Sequence, residues 1–301
     1  MAPSRTDRPS PLLSRGTKPT ALVDSFLAGI VSANTRASYA KGIDDLYTFA
    51  AGRPVTLNLL HDWRMALMAS RATSTVNLRV TAVRRFIKFL GSSGRIDDRE
   101  ATRLASIESI PFRGTRMGNW LTAAQTRRLL TVPSRKNLRG IRNYCILAIL
   151  AGCALRVGEL AALDLETIQQ RDGRWVLADL PGKGGRIRTV AIPGWVKQAI
   201  DAWLKASKIK EGLVIRQLTL SPDGLSKQGL WDIVRKAAQK IGVQNFGPHD
   251  LRRTCARLCR ENGGDLEQIQ IMLGHESLVT TQRYLGTVQN LRNAVNDNLG
   301  L

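Results

Sequence analysis

Apolar residues recur every three or four positions from about residue 21 to residue 104, the spacing of amphipathic helices. Leu22, Phe26 and Ile30 share one stripe. Tyr39, Ile43, Leu46, Tyr47 and Phe49 continue it after Asn34 and Thr35, which read as a helix cap. A shorter helix is predicted over 57–68. Another apolar face, Val76, Val80, Val83, Phe86, Ile87 and Leu90, is predicted to stop at Gly91 and Gly94. Four or five helices make an all-α domain over 21–110. Residues 111–118, with Arg113 and Arg116 beside glycines, then break the period as a linker able to lie along a phosphate backbone.

The pattern changes beyond the linker. Thr122 is placed to cap a helix over 123–130, and the apolar run 141–151 has too few charges for a surface helix, so it reads as a core helix. Residues 174–180 and 187–192 alternate like strands around a Gly-rich turn at 181–185. Helices return over 195–207, 230–241, 250–261 and 266–273 and around Tyr284. A tail over 285–301 repeats apolar residues at Leu285, Val288, Leu291, Val295 and Leu299. The expected fold is therefore mainly α with a small antiparallel β-sheet. It comprises a basic arm (1–20), the helical domain (21–110), the linker (111–118) and an α+β domain (119–301).

Composition narrows the partners. Hydrophobic residues make up 43% and charged residues 23%, which suits a folded chain. The net charge is +21 and is spread over both halves, as in a clamp around a duplex. Such a surplus repels itself in a compact fold and points to a polyanion, or to a generally basic proteome. Arg79, Arg84, Arg85 and Lys88 share the helix ending near Leu90 and read equally as a solvated face or a groove-facing one. The four cysteines, Cys145, Cys153, Cys255 and Cys259, complete no zinc pattern and read as buried free thiols of a reducing compartment. The arm has no apolar run, so no signal peptide, membrane span or membrane partner is expected. The expected location is cytoplasmic, and nucleoid-associated in a bacterium.

Four motifs in the second half carry candidate chemistry. Arg156, at the end of the apolar run, has Glu159 three residues on. The two read as a structural pair or as a phosphate fork held by a carboxylate. Lys183 sits in the Gly-rich turn, either as a plain turn lysine or as an ammonium free to reach a groove. Arg186 and Arg188 stand close enough in sequence to substitute for it. His249 and Arg252 are three apart at a helix start, where free N–H groups favour a phosphate. A capping His with a solvated Arg is the other reading, and Arg253 and Arg257 are expected to face elsewhere. Gly274 ends a helix and puts His275 on a turn, with Tyr284 nine residues later. A phenol needs cationic neighbours or a base before it can attack phosphorus.

Together, in this order, Arg156, Lys183, His249 with Arg252, His275 and Tyr284 resemble the signature of the tyrosine recombinases, the phage integrase family. The phrases at 154–160, 249–254 and 273–275 resemble the family's boxes nearly letter for letter, and residues 34–39 resemble the opening of its helical core-binding domain. The resemblance implies an all-α core-binding domain followed by an α+β catalytic domain. It implies cleavage and rejoining of double-stranded DNA at specific sites through a 3′-phosphotyrosine, without cofactor, ATP or metal. Arg156 and Arg252 would hold the phosphate, Lys183 would protonate the leaving 5′-oxygen, His249 would assist Tyr284 and His275 would donate a further hydrogen bond. Glu159 would support Arg156.

A homo-tetramer on DNA, from free monomers or dimers, is expected, with the tail helix docking on a neighbour or on its own domain. Accessory proteins are not readable. Leu285-Gly286-Thr287 after the tyrosine, and Asp97-Asp98-Arg99-Glu100 where an Asn-Pro often sits, leave the subfamily open. A type IB-like topoisomerase, cutting one strand as a monomer, and a non-catalytic DNA-binding regulator are the competing readings. A two-metal nuclease needs several converging acids, whereas Asp97, Asp98 and Glu100 are expected in a surface loop away from the set.

Overall fold

Most helices begin where the sequence supplies an oxygen for their unpaired N–H groups. The structure, a computed structural model, describes residues 18–111, 119–182, 187–218 and 223–285. The arm up to residue 17, Arg113 and Arg116 of the linker, Lys183 and Arg186 of the turn, and the tail beyond residue 285 lie outside the described residues. By its contacts the chain divides into two units, Met1–Thr115 and Arg116–Leu301.

The first unit holds α1 (Thr20–Ala28), α2 (Ala33–Ala50), α3 (Leu57–Ser70), α4 (Thr73–Ser92) and α5 (Asp98–Ala105). Their stripes meet in one core that includes Phe26, Ile43, Trp63, Val80, Phe86, Leu90 and Leu104. The cap of α2 is Ser32, whose hydroxyl accepts from the Thr35 N–H at 3.4 Å, rather than Asn34 or Thr35. Gly91 does not end α4; it lies inside the helix. A Cβ there would stand 2.6 Å from the Ala101 Cβ of α5, so glycine is needed for the close approach of the two helices. Asp97 and its acidic neighbours do not form a loop. Asp97 caps α5 by accepting from the Arg99 and Glu100 N–H groups, and Asp98 and Glu100 occupy its first turn, where the helix dipole favours them.

Two of the four cations on α4 turn inward. Arg79 is buried, paired with Asp45 at 2.8 Å and donating to the Ser38 carbonyl at 3.0 Å, so it belongs to neither a solvated nor a groove-facing surface. Burying a guanidinium is costly without such a partner. Arg84 donates to the Ile107 carbonyl. Arg85 and Lys88 are exposed, with Arg85 lying over the Tyr39 ring.

The second unit is built on α7 (Leu138–Cys153), whose residues from Cys145 to Leu150 are fully buried. Before it comes α6 (Ala123–Thr131), capped by Thr122 and Gln125 in a reciprocal box. After it come α8 (Val157–Ala161), a 3-10 turn (Leu165–Thr167) and the strands β1 (Ile168–Arg171), β2 (Arg174–Pro181) and β3 (Ile187–Ala191), which pair antiparallel in that order. β1 was invisible to periodicity because Ile168-Gln169-Gln170-Arg171 is polar and mostly exposed. Helices α9 (Gly194–Ser207), α10 (Lys227–Lys240), α11 (Pro248–Glu261), α12 (Leu266–Leu273) and α13 (Leu278–Leu285) complete the unit. Among the described residues no helix is long and apolar enough to cross a membrane. Cys145, Cys153 and Cys255 are buried free thiols, whereas Cys259 is only half-buried.

Gly91→Val is expected to lower stability by about 1–3 kcal/mol through overpacking against Ala101. The midpoint of urea unfolding measures it; an unchanged midpoint would mean that α4 and α5 are not in close contact.

Candidate active site

The site forms around one carboxylate. Helix α7 ends on Ala154, a non-glycine residue in the left-handed region at φ 51°. The chain then turns into α8 with Arg156 at the cap and Glu159 three residues on. The Arg156 N–H and its Nη1 both reach Glu159, at 2.7 Å each. Arg188, from β3, grips the same carboxylate with both terminal nitrogens at 2.9 and 2.7 Å. Arg252, from α11, lies 4.0 Å from it and is 1% exposed. Burial alone would raise the Glu159 carboxyl, but the hydrogen bonds from Arg188 and Arg156 overcome this and hold it at about 2.

The C-terminus of α12 supplies the remaining acceptors, the carbonyls that a helix end leaves unpaired. Met272 accepts from Arg188 Nε at 2.9 Å, Leu273 from Arg252 and from Arg156 at 3.3 Å, and Gly274 from Arg156 at 3.4 Å. Arg252 also donates to the Ala154 carbonyl at 2.6 Å. Gly274 caps α12 at φ +59°, and a Cβ there would stand 3.0 Å from Arg188 Cδ. Left-handed geometry and close approach both call for glycine. Arg156 keeps a side-chain exposure of 37%, so this guanidinium stays accessible from outside.

Three aromatic groups stand beside the guanidinium cluster. Asp250 accepts from the Gly247 N–H at 3.0 Å and so caps α11, which puts His249 in the first turn rather than at the cap, with part of its surface in solvent and its ring against Tyr284. His275 follows Gly274 with Nδ1 3.0 Å from the Thr281 hydroxyl. Tyr284, on α13, donates its hydroxyl to the His249 carbonyl at 3.3 Å. Its ring meets those of His249 and His275 edge-on, with centroids 5.4 and 5.1 Å away.

Burial lowers His249, and the charges of Arg253 and Arg252 lower it further. Burial with Arg252 and Arg156 brings His275 to about 4. Both imidazoles are therefore neutral near pH 7. Tyr284 is raised by burial, against the opposing pull of Arg252 and Arg253.

The structure thus brings Arg156, Glu159, His249, Arg252, His275 and Tyr284 into one place, while Lys183 lies outside the described residues. Sequence reasoning missed two neighbours. Arg188 is not a stand-in for Lys183 but a buried anchor, 6% exposed at its side chain. The signal was available, because it shares strand parity with the inward-facing Val190. Arg253 was expected to face away, yet its Cζ lies 4.8 Å from the Tyr284 ring centroid. Arg257 does face elsewhere, over Trp120. Among the described residues no group of three His, Cys, Asp or Glu side chains could hold a metal ion.

The phage integrase family profile matches residues 119–290. The tyrosine recombinase XerC of Roseiflexus castenholzii is 30% identical over 283 residues, covering 87% of each chain. The tyrosine recombinase XerA of Thermococcus kodakarensis is 35% identical over 224 residues, 73% of each. In fold, the chain is similar to the XerH site-specific recombinase bound to difH substrate in a pre-cleavage complex. That likeness has a TM-score of 0.72 at 15% identity, with 95% of this chain and 97% of that one covered.

Removing one anchor of the carboxylate tests the cluster. Arg188→Met is expected to cost about 3–5 kcal/mol, because it leaves a buried charge half-paired. Because the folded Glu159 lies at about 2 against an ordinary 4.5, its contribution to stability is complete above about pH 4.5. It is lost as pH falls from there toward 2, so Glu159→Gln should flatten that part of the stability profile. An unfolding series over acid pH that gave identical slopes for the two proteins would contradict this.

Proposed function

The chain belongs to the phage integrase family, the tyrosine recombinases, and from that premise we propose how its site cuts and rejoins DNA. It is a tyrosine-type site-specific DNA recombinase. The observation that carries the mechanism is that Tyr284 stands beside Arg252 and two neutral imidazoles, with Arg156 sharing the Leu273 carbonyl with that same Arg252. XerH bound to difH substrate and the lambda integrase dimer bound to a core site share the fold. Double-stranded DNA is accordingly the substrate read here.

The scissile phosphate would sit against the accessible Arg156, with Arg252 behind it. Two fixed cations stabilise the charge that grows on the non-bridging oxygens as phosphorus becomes five-coordinate. The phenolic oxygen attacks, the bond to the 5′-oxygen breaks, and a 3′-phosphotyrosine forms. Neutral His249 can take or orient the phenolic proton, which a protonated imidazole could not. His275 also meets the Tyr284 ring and would hydrogen-bond the phosphate. Lys183 is the proposed donor of a proton to the leaving 5′-oxygen, which departs as a 5′-hydroxyl. The energy of the broken ester is retained in the tyrosyl ester, so a 5′-hydroxyl from another duplex can reverse the step. Glu159 serves by holding Arg156.

Exchanging two duplexes requires four strand cuts, and each protomer offers one tyrosine. A homo-tetramer on DNA follows, assembled from monomers or dimers. A cytoplasmic location, nucleoid-associated in a bacterium, is proposed to go with this substrate. Arg85 and Lys88, exposed on α4, are the proposed backbone contacts of the first unit.

Incubation with nicked duplexes carrying candidate sites, which trap the covalent intermediate, tests the assignment. Wild type is expected to give a denaturation-resistant protein–DNA adduct. Tyr284→Phe should give none while still binding DNA, and an adduct from that variant would remove Tyr284 as nucleophile. Arg156→Ala should slow adduct formation by about 100- to 1,000-fold.

A further inference from the structure

Arg253 lies outside the Arg, Lys, His-x-x-Arg, His and Tyr set, yet its guanidinium stands over the nucleophile's ring. Its Cζ is 4.8 Å from the Tyr284 centroid, on a ring that both imidazoles also meet edge-on. Adjacent residues on a helix diverge by about 100°. Arg252 can therefore enter the Glu159 cluster while Arg253, its neighbour on α11, covers a different face. The guanidinium is held by Asp250 at 3.1 Å, and the two side chains are only 18% and 19% exposed. Asp250 is itself fixed by the Gly247 N–H at the start of α11. The cation is thus anchored before it meets the ring.

Tyr284 packs against the small core around Cys255, Ile269 and Leu273, and the Arg253 contact adds to that packing from the ring face. Tyr284 is carried by α13, Leu278–Leu285. The Tyr284 hydroxyl donates to the His249 carbonyl at 3.3 Å and also interacts with the Arg252 side chain, so its oxygen is tied down while the ring face is left for another contact. Through the strand-transfer reading above, we propose that Arg253 is a positioning residue which clamps the Tyr284 ring by a cation–π contact and keeps its oxygen at the guanidinium pocket. The electron-rich face of a phenol attracts a guanidinium, and the attraction strengthens as the phenol loses its proton. The same contact therefore orients the nucleophile and favours its reactive form.

The groups facing Tyr284 are His249, Asp250, Arg252 and Arg253 from α11 and His275 from the turn before α13. Burial raises the phenol, Asp250 adds to that, and the two arginines oppose it. Both histidines are neutral near pH 7, so they do not help to hold a phenolate there. Removing Arg253 should leave Arg252 as the sole opposing cation of this group.

The test is single-turnover adduct formation by the full chain on saturating nicked duplex, followed across pH, with DNA affinity and melting temperature measured separately. Arg253→Met is expected to form adduct about tenfold more slowly at neutral pH. Its rate should rise at higher pH than that of wild type, by about one unit for that tenfold loss. Arg253→Lys keeps a cation and should recover most of the rate and the wild-type profile. An unmoved pH profile overturns the clamp, whether the loss then appears only in melting temperature or only in DNA affinity. Failure of Arg253→Lys to restore what Arg253→Met loses overturns it as well. If wild type itself forms no adduct, the strand-transfer reading fails first. A wild-type adduct that Arg253→Met matches in rate and profile refutes the clamp alone.

Discussion

Glu159 is the group on which this site depends. Guanidinium groups from the start of α8, from β3 and from α11 cannot share a partly buried volume without counter-charge. Glu159 supplies a full negative charge by staying ionised to about pH 2. Dipoles meet part of the rest, through the carbonyls of Met272, Leu273 and Gly274 at one helix end and of Ala154 at another. This arrangement gives a role to two unusual backbone positions. Gly274 and Ala154 both take left-handed conformations, and both present their carbonyls to arginines. In a non-glycine residue such a conformation costs energy, and the bond from Arg252 offsets it.

One carboxylate and several dipoles do not neutralise three cations, and the residue of positive charge is what an anion can complete. It also sets the protonation of the aromatic groups around it. Cations push His249 and His275 toward the neutral form and would push Tyr284 toward the phenolate. Burial acts with them on the histidines and against them on the tyrosine. The resting arrangement is therefore a neutral acid beside neutral bases. It has low electrostatic tension until a phosphate enters and the proton has a reason to move.

Local features of the fold were legible because local forces decide them. Thr122 caps α6 as its place before the helix suggests, and the run through Cys145 and Leu150 is buried because nothing in it is polar enough to face water. The set Arg156, His249, Arg252, His275 and Tyr284 was readable as a motif, although its residues come from distant parts of the second unit. What escaped were positions decided by contacts far along the chain. Gly91 looks like a helix stop, yet the approach of Ala101 makes it an interior residue. β1 has no alternation because it lies at the edge of the sheet, where its pairing is set by β2.

Arginine was the hardest residue to place, for the same reason. Arg79 and Arg188 look like surface cations until Asp45 and Glu159 are found beside them. Pairing does not reduce the surplus, however. Even if each of the 24 carboxylates took one of the 45 cations, 21 would still lack an acidic partner. Folding decides only which cations those are. By making one carboxylate serve Arg156, Arg188 and Arg252, it concentrates unpaired charge beside Tyr284 instead of spreading it evenly over the surface. A motif read from the sequence names the residues involved, but that shared carboxylate is what turns a generally basic chain into a local anion site.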